Sequence, residues 1–381
     1  MKNCLVANCT LQGGKLLKLV YKYIAKELIM PFFFGVAAFV GIFIGTDLLY
    51  RLTDFYSNWG ISIITLIELF FLSLPSIIVL TFPMATLLAI IMAYSRLSND
   101  SEITAFRAGG VSIYRLVIPA VVLGLIMSFF AIGLNEYVVP QSNYLYDKIV
   151  WEFKHGEKLP NTQYNLYLTP LDDQTNRPDY ILYTHQFDGD TGIMHDVYLQ
   201  DYEEGDPTVL IQAERAEWLE TGWKFFNGKI FYLRTGERIP ALEFNEYNAV
   251  QIFNRPQEIS KLNKKVEDMN FNELQEYINL KESQGREVLE EKVKLHQRLS
   301  IPFASFIFAL LAAPLGIKPG RSSGSAVGMG ISIIVIFIYY IMMTIGDALG
   351  SQGTIAPWLG AWLSNIIFLI VGSVLLYRVA R

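Results

Sequence analysis

Cysteine is almost absent from this sequence. Its two copies, Cys4 and Cys9, both precede the first long apolar run, so no disulfide framework supports any later segment. Histidine is nearly as scarce. His155, His185, His195 and His296 form no H-E-x-x-H pair and no other usual metal-ligand spacing, so no metal or other cofactor is expected. No G-x-S-x-G elbow occurs, and no convergent nucleophile and base can be found, so a membrane-bound hydrolase is a distant reading. The GRSSG stretch at 320–324 lacks the G-x-x-x-x-G-K-[ST] spacing that wraps a phosphate. It reads as a small basic turn, and the chain is not expected to hydrolyse ATP. Charge is thin as well: 18% of residues are charged against 52% hydrophobic, a membrane-like balance.

What is present is apolar length. Residues 28–50, 62–94, 113–134, 299–317, 326–346 and 358–377 are long and almost free of charge. A helix rises about 1.5 Å per residue, so about 20 such residues cross a hydrocarbon core. Six spans are predicted. The second is longer than needed and carries Pro75 and Pro83, where a tilt or kink is expected. The first run is too long for a cleavable signal peptide and lacks a small-residue cleavage site. Before it, residues 15–26 interleave Leu16, Leu17, Leu19, Val20, Tyr23 and Ile24 with Lys18, Lys22 and Lys26. This is either an amphipathic basic helix on a membrane surface or a plain extension of the first span.

Basic residues set the orientation. With six crossings, Lys2, Lys15, Lys18, Lys22, Lys26, Arg96, Arg107, Arg115, Lys318, Arg321, Arg378 and Arg381 share one side, and Arg51 lies opposite. The positive-inside rule puts that basic side and both termini in the cytoplasm. Residues 136–298, between the third and fourth spans, are then exported. They hold most of the Asp and Glu in a chain of net charge -5, which argues against nucleic acid as a partner.

The insert divides in two, giving four segments in all: 1–135, 136–256, 257–298 and 299–381. Residues 136–256 read as β-structure. Runs at 164–169, 180–187, 194–202, 208–213, 223–226, 229–234 and 241–253 are rich in Tyr, Val, Ile and Phe, with turn residues between them. Asn227-Gly228 predicts a type I′ hairpin between 223–226 and 229–233. Strand spacing suggests an all-β sandwich or roll. Residues 257–298 read as a helical connector, with Asn270 and Glu273 as a capping box. Its last helix is expected to run on into the fourth span.

The informative cytoplasmic loop is 96–112, RLSNDSEITAFRAGGVS. Asn99 is placed to cap a short helix, with Glu102 returning a hydrogen bond to the cap and Gly109-Gly110 ending it. Ile103 and Phe106 would then project from one side. A short capped helix tethered between two spans suits docking to a cytoplasmic partner, Glu102 pairing with a basic group there. The plainer reading is that Glu102 only caps and Phe106 only touches headgroups.

Several segments carry a family resemblance: FPMATLLA at 82–89, the 96–112 loop, Asn135, Pro140 and Asn143 in NEYVVPQSN, AERAEWLETGWKFFNGKIFYL at 213–233, and HQRLSIPFASFIFALLAAPLGI at 296–317. With these the chain resembles the LptF/LptG (YjgP/YjgQ) family of lipopolysaccharide-export permeases over nearly its whole length. The resemblance implies an α-helical multi-pass inner-membrane protein with six transmembrane helices and an inserted periplasmic jellyroll. It implies half of an ABC transporter that pairs with a second such permease or a copy of itself. It further implies a separate cytoplasmic ATPase, LptB, docked at the loop helix through Glu102, Ile103, Phe106 and Arg107. Lipopolysaccharide would pass from the membrane to the jellyroll proteins LptC and LptA.

The residues alone leave two functions open, a lipid-export permease and a non-transporting scaffold whose β-domain binds envelope proteins. A scaffold has no need of a docking helix between spans. For an anionic, multi-acyl lipid, Arg51, Lys148 and Lys154 are the candidate headgroup cations on the outer rim. Glu68, an acid within the second span, is either functional or snorkels to the interface.

Overall fold

The computed structural model describes residues 2–155, 162–169, 180–189, 191–203, 206–219, 222–234, 237–249, 265–283, 286–317 and 325–381. The 320–324 loop, with Lys318 and Arg321, lies outside them. The chain separates into two compact units, Met1–Tyr146 with Lys292–Arg381, and Asp147–Glu291.

The membrane unit is helical because its apolar runs must satisfy every backbone group internally. Helix α1 is Lys2–Phe43; a π-turn at Ile44–Leu48 leads into α2, Leu49–Trp59. Next come α3 (Ile63–Asn99), the short α4 (Glu102–Ala108), α5 (Ile113–Tyr137) and α6 (Val139–His155). The chain returns later with α8 (Leu289–Gly316), α9 (Ser325–Ser351) and α10 (Pro357–Ala380). Among the described residues, six helical stretches are long and apolar enough to span: Leu17–Trp59, Ile63–Asn99, Ile113–Tyr137, Leu289–Gly316, Val327–Ser351 and Pro357–Ala380. The lysine-bearing start is continuous with the first span, and Lys18, Lys22 and Lys26 are exposed on it. Pro75 and Pro83 lie inside an unbroken α3.

One core cluster draws on α1, α3, α4, α5, α8, α9 and α10, among them Ile24, Leu28, Tyr94, Ile103, Leu116, Phe308, Tyr339 and Phe368. Lipid tails give little hydrophobic preference for helix association, so buried polar pins matter here. Tyr94 donates to the Leu116 carbonyl at 2.6 Å. Asn365 donates to the Ser300 carbonyl at 2.7 Å and accepts from Tyr339 at 2.8 Å, which ties α8, α9 and α10 together. Asn135 donates to the Arg298 carbonyl at 3.2 Å, and Ser76 donates to Asn143 at 3.2 Å.

The second unit holds one six-stranded antiparallel sheet in sequential order: β1 (Thr162–Leu168), β2 (Tyr180–Asp188), β3 (Ile193–Glu203), β4 (Asp206–Leu219), β5 (Gly222–Arg234) and β6 (Glu237–Ala249). Asn227-Gly228 is not a hairpin turn. Both residues lie inside β5, which is continuous where two strands are predicted. Asn227 has φ 51, but Gly228 does not have positive φ, and a type I′ turn needs both. Gly228 instead serves a close approach: a Cβ there would lie 2.3 Å from the Gln212 carbonyl and 2.4 Å from the Phe244 ring.

Asn227 belongs to a line that crosses the whole sheet. Pairing runs Leu166↔Thr184, Thr184↔Val197, Val197↔Ala213, Ala213↔Gly228 and Gly228↔Phe244, and resumes two residues on in each strand. The skipped positions are Asn165, His185, Asp196, Glu214, Asn227 and Asn245. Inside–outside alternation slips there: Met194 and Val197 are buried with His195 and Asp196 exposed between them, and Ala213 and Ala216 flank exposed Glu214 and Arg215. Asp196, like Asn227, has φ 51. The Thr184 hydroxyl hydrogen-bonds the carbonyls of Gln186 at 3.0 Å and His195 at 2.7 Å. Because each strand carries the extra residue, one apolar face continues across the crease, from Leu182, Leu199 and Ile211 to Phe187, Met194 and Trp223. Of the sandwich and roll alternatives, the described residues show no second sheet packed on the first; they form one sequential antiparallel sheet.

After the sheet, a 3₁₀ turn at Val266–Asp268 precedes α7, Phe271–Ser283. The expected capping box is present: Glu273 N–H donates to Asn270 Oδ1 at 2.8 Å, and Asn270 N–H to Glu273 Oε2 at 3.0 Å. Helix α8 does run from connector into span. The chain is thus a multi-pass helical membrane protein with an inserted β domain.

Candidate functional site

Helix α4 forms a corner between α3 and α5. Its cap differs from the sequence expectation. Asn99 is the last residue of α3, and the N-cap of α4 is Ser101, with φ 62 and no side-chain cap bond. Glu102 therefore opens the helix rather than occupying its third position. The chain reverses so tightly after α3 that Ser101 must take the left-handed conformation, which leaves no extended residue to cap from. An acid in the first turn still suits the positive end of the helix.

The other end is as expected. Gly110, at φ +84, donates to the Arg107 carbonyl at 2.9 Å, and Val111 donates to the Phe106 carbonyl at 3.0 Å. These two bonds are a Schellman closure, and Val111 and Phe106 join the same apolar cluster.

The expected apolar knob is only partly present. Ile103 is 3% exposed and seated in the core, so it anchors α4 instead of projecting. Phe106 is half-buried, with its ring 6.4 Å from that of Tyr23 in an edge-on arrangement. The face left exposed is Thr104, Ala105, Arg107 and Ala108. Glu102 is half-exposed and accepts a hydrogen bond from the Tyr23 hydroxyl at 3.0 Å. Beside it, Arg96 near the end of α3 pairs with Glu27 of α1.

Sequence reasoning missed Tyr23, Glu27 and Arg96 as members of this site. A signal existed: Glu27 is the lone acid in the otherwise basic stretch before the first span, one helical turn after Tyr23.

The rim candidates are placed as follows. Arg51 donates to Asp47 one turn earlier on its own helix at 2.9 Å, and both side chains are more than half exposed. Lys148 and Lys154 are exposed on α6, in the second unit. Glu68 is exposed on α3. It lies near the start of that helix, where Ser62 caps by accepting from Thr65 N–H. Among the described residues no group of three or more His, Cys, Asp or Glu could hold a metal.

Against this geometry stands a family model. The model for "Lipopolysaccharide export system permease LptF/LptG" matches residues 22–378. The chain belongs to the LptF/LptG family. The match takes in both membrane halves, α4 and the creased sheet. Among similar proteins are the lipopolysaccharide export system permease proteins LptF of Escherichia coli strains K12 and O157:H7 and of Shigella flexneri. Each is 21% identical over 317 residues, covering 80% of this chain and 80% of the relative. This LptF/LptG-family chain is a multi-pass inner-membrane protein of the lipopolysaccharide export system.

Proposed function

We propose that the chain is one half of a permease that lifts lipopolysaccharide out of the inner membrane, energised by a separate ATPase of the LptB type that docks on α4. The observation that carries this reading is α4 itself. It is a short helix, closed at its C-terminal end by Gly110 and Val111, anchored by buried Ile103, and presenting Thr104, Ala105, Arg107 and Ala108 outward. Glu102 keeps acceptor capacity beyond the one hydroxyl it receives, so a basic side chain of the ATPase has a partner there. Force enters at α4 and is passed to the bundle through its anchored side.

The rest of the scheme follows the basic asymmetry of the loops. The termini and α4 face the cytoplasm, and the creased β-sheet faces the periplasm. The second half is another LptF/LptG-type permease or a copy of this chain. ATP-driven closure brings the two α4 helices together and narrows the cavity between the halves. The acyl chains move upward to the β-domain, whose edge joins the jellyrolls of LptC and LptA by strand addition, so that the lipid passes along them. Arg51, Lys148 and Lys154 contact the anionic headgroup. Arg51 does so in exchange for Asp47, a cheap exchange because an exposed i,i+4 pair contributes little. Glu68 sits close enough to its helix start to reach the interface. The permease does no bond chemistry of its own; ATP is split in trans.

The test is purification of the tagged chain in mild detergent with identification of what accompanies it, followed by an ATPase assay. A stoichiometric ATPase whose rate changes on adding lipopolysaccharide is the expected result. A chain accompanied only by envelope proteins would overturn the transporter reading.

A further inference from the structure

We infer that Tyr23 is a positioning residue that clasps the first span to the loop helix, with Glu27 holding α1 to the end of α3 beside it, so that α1 moves with α4. This rests on the proposed docking of an ATPase at α4.

Helices α1 and α4 are far apart in the chain; Tyr23 and Glu102 are separated by 79 residues. No direct chain connection makes them move together. Contacts at the corner do, three kinds between α1 and the corner's apolar and polar side chains and a fourth, an ion pair, between α1 and α3. The Tyr23 hydroxyl donates to Glu102 Oε1 at 3.0 Å. The Tyr23 ring lies edge-on to Phe106 at 6.4 Å. Val20, Ile24 and Leu28 of α1 share an apolar cluster with Leu97, Ile103 and Val111 of the α3–α4–α5 corner. Glu27, one turn beyond Tyr23, pairs with Arg96 on α3. Residues i and i+4 share a helix face, so Tyr23 and Glu27 grip both arms of the corner from one side of α1.

The backbone around α4 makes the clasp matter. Each end of the helix turns at a left-handed residue, Ser101 at φ 62 and Gly110 at φ +84. A load on α4 that passed only through those turns would reach α3 and α5, and α1 only through its packing against them. The clasp delivers it to α1 directly. Beyond the clasp, α1 presents Ile29, Met30 and Phe33, 51%, 82% and 66% exposed, so moving α1 moves exposed apolar surface of the membrane unit.

The experiment uses the complete complex, with the full chain, its second permease and its ATPase, in proteoliposomes loaded with lipopolysaccharide. The readout is ATP hydrolysed per lipopolysaccharide molecule released to a jellyroll acceptor. Tyr23→Phe keeps the ring against Phe106 and removes the donor. It is expected to raise that ratio about threefold or more, with the ATPase still bound. Glu27→Gln is expected to do the same, and the exchange Glu27→Arg with Arg96→Glu to bring the ratio back to within about twofold of wild type. Should the single variants give little complex, the charge exchange decides: a recovered complex with a recovered ratio supports the clasp, and a recovered complex with a raised ratio overturns it. Ala105→Glu, on the exposed face of α4, is run in parallel. An ATPase that stays bound to it overturns the docking reading and the clasp with it. A docked ATPase with an unchanged ratio in both Tyr23→Phe and Glu27→Gln overturns the clasp alone.

Discussion

The amide of Val111 donates to the carbonyl of Phe106 at 3.0 Å, and that bond closes the loop helix. It forms only because Gly110 between them takes φ +84. A β-branched residue at 110 meets its own backbone in that conformation, at a cost of about 1–2 kcal/mol. Gly110→Val is expected to unwind the last turn of α4 and lower the amount of ATPase purified with the chain. Gly110→Asn, which tolerates the left-handed region, is expected to retain most of it. Comparing the two yields checks the closure.

The crease of the sheet makes a second position critical. A Cβ on residue 228 would stand 2.3 Å from the Gln212 carbonyl, a backbone atom that cannot swing away. Gly228→Ala is therefore expected to destabilise the β unit by about 1–3 kcal/mol, the usual range for overpacking. Limited proteolysis of the full chain reads it out, through faster cleavage within 206–249. Equal cleavage rates would show that the strands relax freely at the crease.

In the membrane, Asn365 joins Ser300 and Tyr339 at 2.7 and 2.8 Å with 1% of its surface exposed. Interhelical hydrogen bonds in bilayers are individually modest, about 0.6 kcal/mol on average. Replacing Asn365 by Leu removes two and leaves the Tyr339 hydroxyl to find another partner. A loss of about 1–2 kcal/mol is expected by unfolding in mixed detergent. Tyr339→Phe, which removes one bond and strands no donor, should cost less.

Lys281 and Glu291 supply a pH test. Burial disfavours the charged lysine, but hydrogen bonds with Glu291 and Tyr277 outweigh it, and its pKa lies above the ordinary value of 10.5. A raised folded-state pKa means the stabilisation is complete below the unfolded pKa and is lost as pH rises through the folded one. Lys281→Met is expected to melt below the wild type from neutral pH to about pH 10, with the gap narrowing above that. A gap that does not narrow as pH rises past the ordinary lysine pKa of 10.5 would contradict the assignment, as would no gap at neutral pH.

Much of this architecture was legible in the sequence. Long uncharged runs leave a chain few options in a bilayer, so all six spans, the helical connector and its Asn270–Glu273 box were readable. What was not legible depended on tertiary context. Asn227-Gly228 carries a hairpin signal, yet the same two residues suit a strand crease, one tolerating positive φ and the other admitting a neighbouring carbonyl. Only the partner strands decide between these. The cap of α4 was misplaced because Asn99 is a good cap in isolation, while helix α3 simply continues through it. Ile103 and Phe106 looked alike in sequence; the packing of α1 against the corner buried one and half-buried the other. Tyr23 and Glu27 were missed as site residues because, although a lone acid in a basic stretch marks the place, nothing local records which helix an exposed tyrosine will meet.

The central claim is that α4 is where the ATPase acts. The most direct measurement is site-specific photocross-linking from Ala105, exposed on the outer face of α4, in intact cells, with Phe129 on the exposed face of α5 as the control position. The account predicts a covalent adduct between position 105 and a cytoplasmic ATPase subunit, and none with that subunit from position 129. Adducts from position 105 that contain only lipid or envelope proteins would contradict it.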